Sequence, residues 1–244
     1  MPQIGCGCRV CRSTDSRDRR GRTAVVIEDG DTRILVDTPP ELRLSLVRQG
    51  IGSVNAVLYT HDHADHTHGI DDLRALSGGR HGTLPVYGPR DSLDRMQARF
   101  DYIFDPYLRP IPGSSRPALT VTALEPGEQV SVAGIPITPI AFDHGSTLVY
   151  GYRFGALAYV TDAKEVTEEA RAALSGIEVL VLNALFHRSH PTHLSIPEAV
   201  AAALEIGAPR TFLTHLTHET GHAELEAELP AAVRPAYDGL VIEV

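Results

Sequence analysis

Apolar and polar residues alternate along this chain in short strand-like runs, broken by glycine and proline turns and interleaved with helical periodicity. Thr23 to Ile27 and Thr32 to Val36 flank Asp29-Gly30, a hairpin signal because this pair tolerates the positive φ that tight turns demand. Pro39-Pro40-Glu41 opens a helix: proline suits the first turn, Leu42, Leu46 and Val47 form an apolar stripe, and Gly50 stops it. Ala56 to Tyr59 reads as a buried strand, Thr67 to Arg74 as the start of a helix, and Leu84 to Pro89 as a short strand closed by a turn. Between Phe100 and Pro117 the pattern fails. That stretch is aromatic and proline-punctuated, which fits a flap, a dimer contact or an ordinary surface excursion.

The second half restarts the scheme. Strands are expected at Leu119 to Leu124, Gln129 to Phe142, Tyr150 to Phe154, Leu157 to Thr161, Val179 to Leu182 and Leu240 to Val244. Lys164 to Leu174, alanine-rich and ended by Ser175-Gly176, predicts a helix. Ser195 to Glu198 forms a capping box ahead of another helix, with Pro197 in its first turn and Gly207 beyond its end. The spacing puts His193 just before that N-terminus, a good place to meet an anion.

Candidate chemistry concentrates where the Ala56 to Tyr59 strand ends, in Thr60-His61-Asp62-His63-Ala64-Asp65-His66. Strand-to-loop junctions are where sites usually sit. In extended backbone, residues two apart point the same way, so His61 and His63 can converge on one point while Asp65 and His66 reach a second. Imidazole and carboxylate together suit zinc, iron or manganese. His68 and Arg74 follow closely; they read better as a neighbour of the ligands and a surface ion pair than as a ligand and a phosphate contact. Arg109 is a further candidate phosphate contact.

Composition narrows the setting. A length of 244 residues and 43% hydrophobic content allow one large domain, residues 1–244, since no linker, internal period or low-complexity stretch divides them. No apolar run nears the roughly 20 residues that span a bilayer and no secretory signal is evident, so a soluble, cytoplasmic protein is expected. The 22 basic residues against 31 acidic ones leave a net charge of −9, which repels a polyanion. Nucleic acid and membranes are therefore not expected partners. Arg17-Asp18-Arg19-Arg20-Gly21-Arg22 is a local exception, read as a solvated loop. The 3 cysteines, Cys6, Cys8 and Cys11, cannot form a closed disulfide set, but their spacing brings three thiolates to one ion. A structural zinc wants a fourth ligand from elsewhere in the chain.

His61-x-His63-x-Asp65-His66 resembles the HxHxDH signature of metallo-β-lactamase-fold hydrolases. The resemblance implies an α/β fold, an αββα sandwich of two mixed β-sheets with helices on the outer faces. It also implies later ligands, for which Asp143-His144, Thr161-Asp162 and Thr214-His215 stand in the expected order. His61, His63 and His144 would then hold one metal, Asp65, His66 and His215 the other, with Asp162 shared. The two catalytic ions so implied would be zinc or manganese, with iron also compatible. Within this fold, the CxCxxC near the N-terminus is similar to that of the phosphoribosyl 1,2-cyclic phosphodiesterases, whose fourth zinc ligand lies three residues after the last catalytic ligand. That position is His218, with His222 the alternative. Relatives open with a strand and a glycine-rich turn before the cysteines, whereas here Cys6 follows Met1-Pro2-Gln3-Ile4-Gly5.

The resemblance implies a phosphodiesterase acting on a small phosphorylated substrate through a metal-bridging hydroxide, with Asp65 orienting it and His193, ahead of His190, protonating the leaving oxygen. Thioesterases and lactamases of the same fold, RNA-processing nucleases, and non-catalytic carriers of coenzyme biosynthesis are the competing readings. The nuclease would need a basic surface or docking appendage that the sequence does not offer.

Overall fold

The computed structural model describes residues 1–108 and 110–244, so the candidate phosphate contact Arg109 lies outside the described residues. The chain forms two compact units, each built on its own sheet. One comprises Arg22–Glu125 with Ser131–Ile135; the other comprises Met1–Gly21, Pro126–Val130 and Pro136–Val244.

The first unit carries a five-stranded sheet in chain order: β1 (Val25–Asp29), β2 (Thr32–Val36), β3 (Ala56–Leu58), β4 (Leu84–Pro89) and β5 (Leu119–Leu124). β1 and β2 pair antiparallel, and every later pairing is parallel. The hairpin forms one residue later than expected: Asp29 pairs with Thr32, so Gly30, at φ 57°, and Asp31 make the turn. Helix α1 (Leu42–Gln49) ends on Gly50 in the left-handed conformation, as its stop signal predicts. Parallel strands need such crossovers, and those crossovers bury the sheet. Accordingly β3 is buried throughout, and Leu35, Leu42, Val57, Tyr59, Ile70, Leu73, Val86 and Met96 form one core.

The remaining helices of this unit refine the expectation. The metal motif does not stay extended, because α2 (Ala64–Thr67) begins inside it and a 3-10 turn, Ile70–Ala75, follows. Helices α3 (Arg90–Arg99) and α4 (Asp101–Phe104) precede the irregular segment. That segment is tied back by Arg116, whose guanidinium donates to the carbonyls of Tyr102 and Asp105.

The other sheet has seven strands in the order β12-β11-β10-β9-β8-β7-β6. They are β6 (Val130–Val132), β7 (Ile135–His144), β8 (Thr147–Phe154), β9 (Leu157–Val160), β10 (Val179–Asn183), β11 (Arg210–Thr214) and β12 (Val233–Pro235). β7, β8 and β9 run antiparallel, while β9 to β12 pair parallel, so this sheet is mixed as well. Helices α5 (Glu168–Ala173), α6 (Ile196–Ile206) and α7 (His222–Glu228) complete the unit. α6 starts on the expected reciprocal box, Ser195 with Glu198, and ends on left-handed Gly207.

Leu240 to Val244 is not a strand. The edge position beside β11 is taken by Val233–Pro235, and the terminal segment is instead held by Arg210, whose Nη2 donates to the Glu243 carbonyl at 2.7 Å. Among the described residues the first strand is Val25–Asp29, so none precedes the cysteines. Among them, too, no helix is long and apolar enough to cross a membrane.

Candidate metal centre

In the first unit, β2 and β3 are parallel neighbours, with Val36 opposite Leu58, so their C-terminal ends lie side by side. Asp37 leaves one end and Thr60-His61 the other. The Asp37 carboxylate accepts from the Thr60 amide (2.8 Å), the Thr60 hydroxyl (2.8 Å) and Nδ1 of His66 (2.7 Å), all fully buried. Burial pushes the Asp37 carboxyl upward, and the opposing pull comes from His66 and Thr60. Because the single Thr60 hydroxyl proton is used on Asp37, its oxygen accepts from Nδ1 of His61 at 3.0 Å. Both rings therefore present Nε2 as the lone-pair nitrogen, the form a cation requires.

The four candidate ligands that the motif supplies in this unit lie close together. The His61 ring is 4.5 Å from His63 and 4.4 Å from His66, centroid to centroid, and His66 Nε2 is 3.6 Å from Asp65 Oδ2. Residues around them have other partners. His68 packs its ring edge against Phe100 at 5.7 Å. Arg74 pairs with Asp71, which also accepts from the Tyr102 hydroxyl at 2.8 Å, so Arg74 is a surface ion pair. Gly69 allows the close approach of this loop to the segment that follows β2: a Cβ there would lie against the Pro39 carbonyl oxygen.

In the second unit, β7 delivers His144, β9 delivers Asp162 and β11 delivers His215, each at or just past the strand's C-terminal end. Nδ1 of His144 donates to the Thr192 carbonyl at 2.7 Å, which again presents Nε2, 3.8 Å from Asp162 Oδ2. His215 Nε2 lies 3.4 Å from Asp162 Oδ1 and His193 Nε2 lies 3.2 Å from Asp162 Oδ2. Donor atoms of Asp162, His193 and His215 all fall within 4.8 Å of one another. His193 is fixed from behind by Thr192 Oγ1 at 3.0 Å and His190 Nδ1 at 3.2 Å. His190 thus stands one ring further from Asp162, and its pKa is lowered by burial and by neighbouring His193. Asn183 on β10 clamps both amide and carbonyl of Ala163, setting the loop after Asp162.

Backbone strain marks the same positions. Among the described residues four non-glycine positions have positive φ, and three of them are Asp37 (65°), Asp162 (59°) and His215 (60°). Such conformations persist where surrounding structure over-determines them, and they gather at functional sites.

The cysteine cluster also lies within the second unit. Cys6 Sγ and Cys8 Sγ are 3.5 and 3.4 Å from His218 Nδ1, and donor atoms of Cys6, Cys8, Cys11 and His218 lie within 4.8 Å of one another. A tetrahedral ion with Zn–S near 2.3 Å and Zn–N near 2.0 Å would set sulfur and nitrogen about 3.5 Å apart, so the donor set fits zinc. His222 takes no part in this group. It is buried at 2% exposure, with its amide on Asp18 at 2.7 Å and its ring against Tyr237.

Sequence reasoning missed Asp37, which reads from the chain alone only as a strand terminator. The available signal was its position at the end of a buried strand whose parallel neighbour ends in the histidine cluster. It also missed Arg95 and Arg99, whose guanidinium groups grip Asp62.

Comparison with known proteins places this architecture. The model of the beta-lactamase superfamily domain matches residues 32–216. The octanoyltransferase of Porphyromonas gingivalis (strain ATCC BAA-308 / W83) is 37% identical over 98% of this chain; the chain spans about half of that protein, 48% of its length. A crystal structure of a diphosphatase from the PhnP family is 35% identical and superposes with a TM-score of 0.90, covering 98% of this chain and 90% of that one. Zn(2+)-bound PqqB from Methylobacterium extorquens, 17% identical, shares the fold with a TM-score of 0.78 over 100% of this chain and 95% of its own. Two mixed sheets with helices, imidazole and carboxylate donors at the strand ends, and these likenesses together show that the chain belongs to the beta-lactamase superfamily and, within it, to the PhnP family, a branch of the metallo-β-lactamase fold.

Proposed function

We propose that this chain is a dinuclear metal-dependent phosphodiesterase that hydrolyses a small, cyclic phosphodiester such as phosphoribosyl 1,2-cyclic phosphate. The observation that carries the reading is the place of His193, an imidazole ahead of the α6 N-terminus whose Nε2 lies 3.2 Å from Asp162. A phosphodiesterase must protonate a leaving alkoxide, and an imidazole beside Asp162 supports that role for His193.

In this reading residues 1–244 are a single metallo-β-lactamase-like domain, as the sequence leads one to expect. His61, His63 and His144 would hold one divalent cation, Asp65, His66 and His215 a second, and Asp162 would serve both. When bound, such a pair supplies Lewis acidity and lowers the pKa of a water nucleophile. The protein's own work is positional. Asp37 and the Thr192 carbonyl hold His66 and His144 by Nδ1, Asp65 orients the attacking water, and His193 donates its proton to the departing oxygen. Cys6, Cys8, Cys11 and His218 would hold a structural zinc, giving three ions per chain. The expected partners remain a small phosphorylated substrate and, through the irregular segment after α4, a second copy of the chain.

A diphosphate is a second substrate reading, favoured by the likeness to the PhnP-family diphosphatase. The test is hydrolysis by the metal-loaded protein of bis(p-nitrophenyl) phosphate, a 2′,3′-cyclic nucleotide, a nucleoside diphosphate and a thioester. Turnover of the cyclic diester supports the main reading and turnover of the diphosphate alone the second. Hydrolysis of only the thioester defeats both, and no hydrolysis at all favours a carrier of the kind found in coenzyme biosynthesis.

A further inference from the structure

Between the two histidines that open the metal motif stands Asp62, whose side chain points the other way. In extended backbone, alternate residues face opposite sides, so the geometry that aims His61 and His63 together sends Asp62 outward from them. It meets α3. Arg95 donates through Nε at 3.0 Å and Nη2 at 2.7 Å to Asp62 Oδ1, and Arg99 donates through Nη2 at 3.0 Å to Oδ2 and through Nη1 to the Asp62 main-chain carbonyl. Both carboxylate oxygens and the backbone carbonyl are thereby held by two guanidinium groups four residues apart on one helix face.

This is more than a surface ion pair. The Asp62 side chain is only 7% exposed, and the paired, charge-assisted donors leave it a single orientation. The carbonyl contact matters most, because it fixes the plane of the Asp62–His63 peptide. That plane sets the direction in which His63, itself exposed, leaves the main chain. Asp37 and Thr60 hold His66 and His61 through their Nδ1 atoms. At His63 the main chain is held: its carbonyl accepts from the Thr67 hydroxyl at 2.9 Å, and the peptide before it is gripped by Arg99. The clamp supplies from the helix side what Asp37 supplies from the sheet side.

We propose that Arg95 and Arg99 are positioning residues of the catalytic centre, acting through Asp62 to preset His61 and His63 for their metal. The inference rests on the assignment of those histidines as ligands. The test measures metal affinity by chelator competition with Mn(II) and Zn(II) in the full-length protein, alongside the Tm of the metal-free form. Arg95→Ala/Arg99→Ala should weaken the competed affinity by roughly 10–100-fold, the usual effect of losing partners that orient ligands. Arg95→Lys/Arg99→Lys keeps the charge but loses the fork, so it should recover only part of that affinity. Arg99→Ala alone, which removes the carbonyl contact and leaves Arg95 on the Asp62 carboxylate, gives the same readout should the double alanine variant fail to fold. Affinities within about twofold of wild type for the folded variants overturn the proposal, as does a fall in Tm with affinity unchanged, which marks the arginines as anchors of α3 alone. His61→Ala is the control: if it abolishes metal binding while the arginine variants do not, this inference alone fails, and if it leaves binding intact the ligand assignment fails with it.

Discussion

The carboxylate of Asp37 meets Nδ1 of His66 at 2.7 Å with both side chains out of solvent. That contact makes β2, which supplies no metal ligand, part of the site. Asp37→Ala would leave the Thr60 amide, the Thr60 hydroxyl and His66 without their acceptor in a buried place, each costing about 1–3 kcal/mol when unsatisfied. It would also release the ring of a candidate ligand, for which a roughly 10–100-fold loss of metal affinity is the usual scale. Chelator titration of Asp37→Ala, with Asp37→Asn as the isosteric comparison, checks this. An unchanged affinity in both variants would mean that the contact serves the fold alone.

Gly69 gives a second expectation, because its amide donates to the Thr38 carbonyl at 2.8 Å and its missing side chain lets the loop lie on the segment after β2. An added methyl would meet the Pro39 carbonyl oxygen at 2.2 Å and the Thr38 carbonyl oxygen at 3.0 Å, and neither is the end of a flexible side chain. Gly69→Ala should cost about 1–3 kcal/mol of stability, read as a lower denaturant midpoint at unchanged slope.

The part of the site that could be read from the chain is the part written contiguously. His61, His63, Asp65 and His66 fall within six residues after a buried strand, so residue type and spacing alone point to metal chemistry. His144, Asp162 and His215 are isolated, and single histidines and aspartates after strands are common; only the ordered resemblance to a family singled them out. Asp37 was illegible for the same reason, since its role depends on parallel β2–β3 pairing rather than on its neighbours. Helix ends were legible where one residue type carries the geometry, as at Gly50 and Gly207. The Leu240 to Val244 strand failed because strand-like composition says nothing about which segment wins the edge of a sheet, and Val233–Pro235 holds that edge.

The cysteine cluster predicts a separable ion. Cys8→Ser or His218→Ala should lower the zinc content by one per chain and lower Tm, because a closed site contributes directly to folding. Metal analysis before and after dialysis against a weak chelator distinguishes this ion from those of the catalytic centre. Equal zinc content in wild type and both variants would show that the four donors hold no ion.

His222 sets a pH expectation. Burial, then Arg17 and Arg20, lower its pKa below the ordinary 6.5, so the folded chain keeps it neutral where the unfolded chain takes up a proton. Since the unfolded state then binds more protons, this contribution is complete above pH 6.5 and is lost as pH falls below it. Wild type should lose stability between about pH 7 and 5 more steeply than His222→Asn in denaturant melts, and parallel curves would refute the sign.

His193 separates a proton donor from a metal ligand. Its Nε2 stands 3.2 Å from Asp162 Oδ2, and with His215 the three donors lie close enough to share a cation, so geometry alone permits either role. The two roles differ in what they owe to the leaving group. An acid matters when the departing oxygen is a poor leaving group and hardly at all when it is a nitrophenolate, which leaves unprotonated. A ligand matters equally for both. His193→Ala should therefore lose about 10²–10⁴-fold in kcat on an alkyl phosphodiester and change little on bis(p-nitrophenyl) phosphate, with the metal content of wild type. Equal losses on the two substrates together with a lost ion would make His193 a ligand and leave the departing oxygen to another donor, for which His190, its Nδ1 3.2 Å from that of His193, is the candidate.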